Sequence, residues 1–200
     1  MTVVELGRED VPEIVDVFCD AFRDYPVMRF VLGESEGDYD VRLATLIHLF
    51  VMARSLRGEP MFGIREASAL AAAASTSDPA GPESPAELGK VREACWQALG
   101  LAARERYERC GSVWQALSVT APRVHLNMIG VRPGHQGHGL GGLLLRRVHE
   151  LSRATPGSEG VSLTTEDPGN IPFYERAGYE VVGRARIAPE LETWSFFRPV

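Results

Sequence analysis

A glycine-rich segment two-thirds of the way along the chain constrains the fold more than any other part of the sequence. Residues 131–142 are Val-Arg-Pro-Gly-His-Gln-Gly-His-Gly-Leu-Gly-Gly, between the apolar run His125–Val131 and the stretch Leu143–Leu151. This order predicts a strand, a turn and a helix. Glycines let a ligand approach the backbone closely, and the first turn of a helix presents unpaired N–H groups and the positive end of the dipole. The segment therefore predicts an anion site, most often for phosphate.

Two nucleotide-binding motifs are alternative interpretations of this segment. Gly137–Gly142 matches the dinucleotide pattern G-x-G-x-x-G, with acidic residues at roughly the expected distance of about 20 residues. In that motif the first glycine closely follows the strand, whereas residues 132–136 separate Val131 from Gly137. The segment does not match the nucleoside-triphosphate loop motif, because no lysine follows Gly139. A nucleotide-dependent oxidoreductase and a plain turn without a ligand stay open as alternatives.

The segment also closely resembles the signature loop of the GCN5-related N-acetyltransferases, Gln/Arg-x-x-Gly-x-Gly/Ala, present here as Gln136-Gly-His-Gly-Leu-Gly141. The resemblance implies that the loop amides hold the pyrophosphate of coenzyme A, and that the preceding strand is interrupted and splayed so that its backbone pairs with the pantetheine arm. Gly130 is compatible with such an irregularity, since a strand glycine often marks a bulge. The implied coenzyme contacts here are Ile129, Gly130, Val131, Gln136, Gly137, His138, Gly139, Leu140, Gly141 and Gly142.

A second segment, Asn170-Ile-Pro-Phe-Tyr-Glu-Arg-Ala-Gly-Tyr179, resembles the family's C-terminal signature. Its local pattern predicts a short helix that Asn170 caps and that Gly178 ends in the left-handed conformation. The resemblance implies that Tyr174 lies near the thioester sulfur as general acid, and that Asn170 and Phe173 contact the coenzyme. The proton transfer is accessible, because a thiolate has a pKa of about 8.5 and a phenol one of about 10.

The predicted strand before the loop offers one candidate for the general base. Successive strand side chains point to opposite faces, so His125, Asn127 and Ile129 are expected on one face and Leu126 and Met128 on the other. His125 is a candidate base, because an unperturbed histidine titrates near pH 6.5, about neutral. A histidine hydrogen-bonded at the start of the strand is the structural alternative.

Glu166, at the end of the next predicted strand, is the second candidate base, with a solvent-exposed carboxylate as its structural alternative. His135 and His138, in the loop itself, are expected to face phosphate or solvent rather than the amine. The resemblance implies that the amine attacks directly, without an acyl-enzyme. A cysteine nucleophile is therefore not required.

The periodicity of the remaining sequence predicts an α/β (α+β) fold. It indicates a helix over 38–57, a hairpin of strands 61–66 and 68–74, a loop over 75–85, and a further helix to about Arg109. Residues 111–123 are expected to connect to the strand before the glycine-rich turn. This order is similar to the family's mixed central sheet of about seven strands, flanked by helices and splayed at its centre, and it predicts one N-acetyltransferase domain over residues 1–200.

Composition narrows the class of partner. The net charge of −6 disfavours nucleic acid. No apolar run is long enough to span a membrane, and the N-terminus does not look like a signal peptide. The three scattered cysteines suit free thiols in a reducing cytosol, and no Cys/His spacing suggests a metal. A cytoplasmic monomer or homodimer is expected.

These features favour an acetyl-CoA-dependent acetyltransferase that modifies a primary amine of a small molecule. Within the family, the layout is similar to that of the puromycin N-acetyltransferases, which share an early segment like Ala21–Pro26. The resemblance implies that the first helices line the acceptor side, where Asp24, Tyr25 and Met28 are candidate contacts. A protein or peptide N-acetyltransferase and a non-catalytic coenzyme A-binding domain remain the alternatives.

Overall fold

Seven strands form one mixed sheet in the computed structural model, which describes residues 2–33, 38–79, 81 and 84–200. The strands are β1 (Val3–Leu6), β2 (Met61–Glu66), β3 (Ala69–Ser77), β4 (Val124–Val131), β5 (Gly160–Thr165), β6 (Glu180–Ala188) and β7 (Leu191–Pro199). Their order across the sheet is β1-β2-β3-β4-β5-β7-β6. β4 and β5 are parallel, and the other neighbouring pairs are antiparallel. The predicted mixed sheet is confirmed.

Helices cover both faces of this sheet, and each face has its own apolar core. The helices are α1 (Val11–Phe22), α2 (Pro26–Leu32), α3 (Tyr39–Leu56), α4 (Ala86–Leu99), α5 (Leu101–Ala116), α6 (Leu140–Ala154) and α7 (Ile171–Arg176). Helices α1 to α5 build the core on one face, and α6 and α7 build the core on the other. Within the described residues, no helix is both long and apolar enough to cross a membrane.

The structure differs from the sequence-based prediction between the hairpin and β4. The expected helix to about Arg109 is two helices, because Gly100 adopts φ +84° and ends α4. α5 then continues to Ala116, through residues expected to be an irregular connection. β3 is longer than predicted, since residues 75–77 are buried and pair with neighbouring strands. Residues 80, 82 and 83 of the predicted loop lie outside the described residues.

β4 has two irregularities that open the middle of the sheet. It pairs with β5 through Val124–Val161 and His125–Ser162, and its later residues have no β5 partner among the described residues. On its other side, the pairing with β3 skips Asn127, which forms a β-bulge. The predicted splay of the central strands is confirmed.

The bulge changes the alternation of side chains along β4. Leu126 and Ile129 both pack in the core beneath α6, whereas Met128 packs in the core of α1 to α5. The expectation that His125 and Ile129 share a face is therefore wrong. The extra residue, Asn127, shifts the alternation by one position, and a shift of one reverses the face of every following side chain.

Gly130 lies beyond the bulge, in regular pairing with Ala73, so it does not mark the irregularity. A Cβ built on it would lie 2.8 Å from Ala21 Cβ and 3.1 Å from Phe18 Cδ1, both on α1. Gly130→Ala is expected to destabilise the fold by about 1–3 kcal/mol through overpacking, and to lower the melting temperature by roughly 2–12 °C. Gly134→Ala is the matched control, because nothing lies within 4 Å of its Cβ position. Equal melting temperatures in calorimetry would contradict this packing role.

Candidate active site

The splay between β4 and β5 opens into a cleft of about 1110 Å³ on the face covered by α1 to α5. Single-ligand pockets are typically about 300–1,000 Å³, so this cleft has room for the reacting parts of two molecules. Its lining includes Met28 of α2, Phe50 and Arg54 of α3, Tyr107 and Trp114 of α5, and Tyr174 of α7.

The turn between β4 and α6 leaves its backbone open. Gly137 and Gly139 both have φ +79°, and no atom lies within 4 Å of the Cβ position of either. Gly139 is the N-cap of α6, and no described side chain caps this helix. The first N–H groups of α6 are therefore open at the positive end of the helix dipole, which is the arrangement that an anion site requires.

Two further contacts fix the shape of this turn. Gln136 Nε2 donates a hydrogen bond of 3.2 Å to the carbonyl oxygen of Val131, which holds the loop against the end of β4. Phe173 Cζ lies 3.2 Å from the Cβ position of Gly141, so α7 packs against α6 at a glycine. The two signature segments are therefore in contact.

The loop histidines interact with nearby protein groups. His138 Nδ1 lies 3.3 Å from the carbonyl oxygen of His135. His135 Nε2 lies 3.3 Å from the carboxylate of Glu66, at the end of β2. His138 is exposed, as expected, whereas His135 is half-buried beside β2.

Tyr174 lies on α7 with its ring buried at the cleft. The ring packs against Phe173, Tyr179 and Phe196, with centroid separations of 5.2, 5.9 and 5.6 Å. Burial, with a smaller effect of the nearby carboxylate of Glu166, raises the pKa of Tyr174 well above its ordinary value. The phenol therefore keeps its proton throughout the neutral range.

Glu166 directly follows β5 and is only 5% exposed, so the structure excludes the alternative of a solvent-exposed carboxylate. Its Oε1 accepts hydrogen bonds from Trp114 Nε1 at 2.9 Å and Thr193 Oγ1 at 2.7 Å. Burial raises the pKa of Glu166, and hydrogen bonds from Thr193, Trp114 and Tyr25 partly oppose that rise. The cleft thus holds an oriented carboxylate that binds a proton more tightly than a free glutamate.

His125 lies where β4 and β5 are still paired. Its Nδ1 is 2.9 Å from Ser162 Oγ, and the same oxygen accepts a hydrogen bond of 2.9 Å from Arg123 Nε. Burial, followed by the charges of Arg123 and Arg54, lowers the pKa of His125 to about 4. The imidazole is therefore neutral at pH 7. Since Ser162 Oγ accepts from Arg123, its hydroxyl proton is available to His125 Nδ1.

Of the three candidate acceptor contacts near the start of α2, Tyr25 and Met28 line the cleft. The hydroxyl of Tyr25 accepts a hydrogen bond of 2.9 Å from the Glu166 N–H and lies 2.8 Å from Thr165 Oγ1. Met28 is buried and lines the cleft. Asp24 is exposed and pairs with a neighbouring arginine, away from the cleft lining.

The start of α7 differs from its prediction. Asn170 occupies the N-cap position, but its side chain does not cap the helix. Instead, Asn170 Nδ2 donates to Thr165 Oγ1 at 3.4 Å, which links α7 to the end of β5. Gly178 has φ +85°, so the predicted left-handed end of the helix is confirmed.

The cysteines are free thiols spread over separate parts of the core. Burial raises the pKa of Cys19 and of Cys95 to about 11, and that of Cys110 to about 12. All three are therefore protonated at neutral pH. None is in the reactive thiolate form that a nucleophile requires.

Trp114 and Thr193, which hold Glu166, were not identified from the sequence. Trp114 carried a usable signal, because Ala103, Tyr107, Cys110 and Trp114 follow one another at helical spacings of four, three and four residues. That stripe would have extended α5 to its observed end. Thr193 carried none, since its contact with Glu166 depends on the pairing of β5 with β7.

Comparisons with known proteins agree with this arrangement. Residues 92–181, which contain both signature segments, match a family model described as Acetyltransferase (GNAT) domain. A Corynebacterium glutamicum structure described as histone acetyltransferase HPA2 and related acetyltransferase is 19% identical, with a TM-score of 0.68 over 100% of this chain and 96% of that chain. The polyamine N-acetyltransferase of Drosophila melanogaster, which catalyses formation of N-acetylagmatine, is 17% identical, with a TM-score of 0.64 over 98% and 97%.

A third structure, the yncA protein of Salmonella typhimurium with its cofactor acetyl-CoA, is 18% identical, with a TM-score of 0.58 over 100% of this chain and 93% of that chain. At these identities the solved structures show a shared fold. The family model covers the turn, α6, β5 and α7, and it includes the cleft residues Glu166 and Tyr174. Residues 92–181 match the GNAT acetyltransferase domain, and the whole chain has the fold of GNAT acetyltransferases.

Proposed function

We propose that the protein transfers an acetyl group from acetyl-CoA to a primary amine of a small molecule by direct attack of the amine. The observation that best supports this is that Glu166 and Tyr174 line the same cleft. One is a carboxylate with an increased affinity for a proton, and the other is a phenol that keeps its proton. Such a pair suits general base and general acid roles.

Coenzyme A fits the turn and the open side of β4. The uncapped N–H groups of α6 and the space over Gly137 and Gly139 suit a pyrophosphate. The β4 backbone beyond His125, which lacks a β5 partner, suits the amides of the pantetheine arm. When bound, acetyl-CoA supplies the thioester carbonyl that the amine attacks and a thiolate leaving group. The other proposed contacts are Ile129, Gly130, Val131, Gln136, His138, Leu140, Gly141, Gly142, Asn170 and Phe173.

Glu166 provides the base in this scheme. An amine with a pKa near about 10.4 is protonated at pH 7 and must lose a proton before it attacks. Burial makes Glu166 a stronger base than an ordinary carboxylate. His125 is the weaker candidate, because its pKa is lowered to about 4. Tyr174 holds the proton that the leaving sulfur takes as the nitrogen–carbon bond forms and the carbon–sulfur bond breaks.

The cleft walls favour a compact acceptor over a protein. Trp96, Tyr107 and Trp114 line the cleft, with neighbouring rings 5.2 and 6.1 Å apart. This aromatic wall suits an amine with an apolar body.

We also infer one N-acetyltransferase domain over residues 1–200, because a single sheet joins β1 to β7.

Ligand-dependent melting tests the coenzyme site. A ligand at 100 times its Kd stabilises a protein by about 2.7 kcal/mol, so saturating acetyl-CoA or CoA is expected to raise Tm by roughly 5–10 °C. NADH is expected to give no shift. Stabilisation by NADH alone would reject the acetyltransferase proposal and favour an oxidoreductase.

A pair of glycine variants locates that site. Gly139 and Gly157 have φ of +79° and +77°, with open space at both Cβ positions. Alanine at either position costs about 1–2 kcal/mol in the left-handed region. Only Gly139→Ala is expected also to reduce the acetyl-CoA shift, because Gly157 lies beyond the other end of α6. Equal shifts in both variants would place the coenzyme elsewhere.

A further inference from the structure

Two arginines and a carboxylate lie at different positions along β4 and β5 in the cleft. Glu166 lies where β5 ends, and Arg123 and Arg54 lie beside the first residues of β4 and β5. The effect of these charges is seen in the pKa values of two neighbouring residues, Tyr174 and His125. Besides burial, Glu166 and Asp167 raise the pKa of Tyr174, whereas the two arginines lower that of His125. The charges that act on Tyr174 are thus acidic, and those that act on His125 are cationic.

Arg123 is a partly buried cation at the far end of the cleft whose charge is not compensated, whereas Arg92, which also lines the cleft without an ion pair among the described residues, is exposed. Its Nε donates to Ser162 Oγ at 2.9 Å, its Nη1 to the Ala121 carbonyl at 3.2 Å and its Nη2 to Ser118 Oγ at 2.8 Å. All three acceptors are neutral, and no ion pair joins Arg123 to an acid within the described residues. A guanidinium has five N–H donors, so two remain for a ligand.

Arg54 differs from Arg123 in this respect. Its Nη1 lies 3.0 Å from a Glu59 carboxylate oxygen and 3.4 Å from Asn127 Oδ1. Arg54 is therefore already paired and holds the bulge of β4. Arg123, held rigidly by three hydrogen bonds at the cleft wall, is the group available to an anion.

The two ends of the cleft are separated by a distance that one small molecule can span. Ser162, which binds Arg123, and Glu166 are four residues apart along β5 and its end. At a rise of about 3.3 Å per residue, their backbones are roughly 13 Å apart. The aromatic rings of Tyr107 and Trp114 line the cleft as well, which suits an apolar middle section.

From this arrangement we infer that the acceptor is an amine with an apolar body and a distal anionic group, which Arg123 binds while the amine lies near Glu166. This inference rests on the proposed function. The inference disfavours polyamines as acceptors of this protein. The second ammonium group of a polyamine would lie against an arginine whose charge is not compensated. Like charges at such a contact are unfavourable, whereas an arginine and a carboxylate form charge-assisted hydrogen bonds.

Three amines of equal length test the inference: 8-aminooctanoate, octylamine and 1,8-diaminooctane. They share a primary amine and an apolar chain, and differ at the far end in a carboxylate, a methyl or an ammonium group. Release of free CoA is measured for each with acetyl-CoA, and binding of each is measured by calorimetry on the CoA-saturated protein. 8-Aminooctanoate is expected to exceed octylamine by about tenfold in kcat/KM and in affinity, the usual effect of a charged hydrogen bond. 1,8-Diaminooctane is expected to be the poorest.

Substitution of Arg123 tests whether this residue is responsible for the preference for 8-aminooctanoate over octylamine. Arg123→Met removes the charge and keeps an apolar side chain, so the ratio of 8-aminooctanoate to octylamine is expected to fall to about one. Arg186→Met removes an equal charge from an exposed arginine paired with Glu192, and is expected to keep the ratio of the parent protein. Because the readout is a ratio within one preparation, a lower fraction of folded variant does not change it.

The two assays separate failure of this inference from failure of the proposed function. If 8-aminooctanoate binds best but no amine is acetylated, the binding of an anionic group by Arg123 stands and small-amine transfer fails. If octylamine or 1,8-diaminooctane is equal or better in binding and turnover, the inference is overturned and the transfer stands. Absence of binding by all three amines, or an unchanged ratio in Arg123→Met, overturns the inference as well.

Discussion

Glu166→Gln is expected to lower kcat for amine acetylation by about 10²- to 10⁴-fold, the usual contribution of a general base. The glutamine oxygen can still accept the hydrogen bonds that Trp114 and Thr193 now donate to Oε1. The variant therefore keeps the geometry of the site and loses its proton acceptor. Steady-state release of CoA measures the effect, and acetyl-CoA binding is expected to stay the same.

The pH dependence of kcat/KM tests whether Glu166 is the general base. Glu166 must be ionised to accept a proton, so activity falls as the pH falls through its pKa, which burial raises. The acid limb of the kcat/KM profile is therefore expected above the pH at which a free glutamate titrates, and it should be absent in Glu166→Gln. Trp114→Phe removes one hydrogen bond that lowers this pKa, so the limb should move to higher pH. An acid limb that persists in Glu166→Gln would assign the base to another group.

Stability provides the control for Glu166→Gln. Since the pKa of Glu166 is raised in the folded chain, the unfolded chain ionises first as the pH rises, and ionisation costs stability up to the folded pKa. Removing the buried charge is therefore not expected to lower Tm at pH 7. Glu180→Gln, on the exposed side of β6, changes the net charge equally and should keep full activity. A large loss of Tm in Glu166→Gln would make its lost activity a folding effect.

Tyr174→Phe is expected to lower kcat by about 10²- to 10³-fold, because a general acid contributes within a range of about 10²–10⁴. Loss of the hydroxyl leaves the ring packing against Phe173 and Phe196 intact, so Tm should change little. No described residue forms a hydrogen bond with that hydroxyl, so its removal leaves no donor or acceptor unsatisfied. Single-turnover measurement of CoA release with a fixed amine checks the effect on the chemical step.

Tyr39→Phe is the matched control for the loss of a phenol. Its hydroxyl donates to the carbonyl oxygen of Arg23 at 2.8 Å, and the residue is not part of the cleft lining. This variant should lose about 1 kcal/mol of stability or less and keep its kcat. Wild-type CoA release by Tyr174→Phe would show that Tyr174 is not the acid.

The sequence predicted the parts of the site that depend on local patterns. The strand–turn–helix unit follows from glycines and an apolar stripe, and the left-handed end of α7 at Gly178 follows from its local turn chemistry. The family resemblance added the splay of the central strands. These features involve residues close together in the chain or a motif of fixed spacing.

What the sequence could not predict depends on contacts between distant elements. The proposed base, Glu166, is oriented by hydrogen bonds from Trp114, 52 residues away, and Thr193, 27 residues away. The pKa of His125 is lowered by its burial and by Arg123 and Arg54, whose positions come from different elements. The bulge at Asn127 has no glycine to mark it, since the glycine of β4 serves its contact with α1.

The short pairing between β4 and β5 also determines how the acceptor end of the cleft can deform. Among the described residues, the two halves of the sheet are paired only through Val124–Val161 and His125–Ser162, at the closed end. A small rotation about this junction would separate the far ends of the strands without breaking a bond of either β-ladder. Such a hinge would let acceptors of different girth reach the reactive end while the contact between Arg123 and Ser162 stays near the axis of rotation.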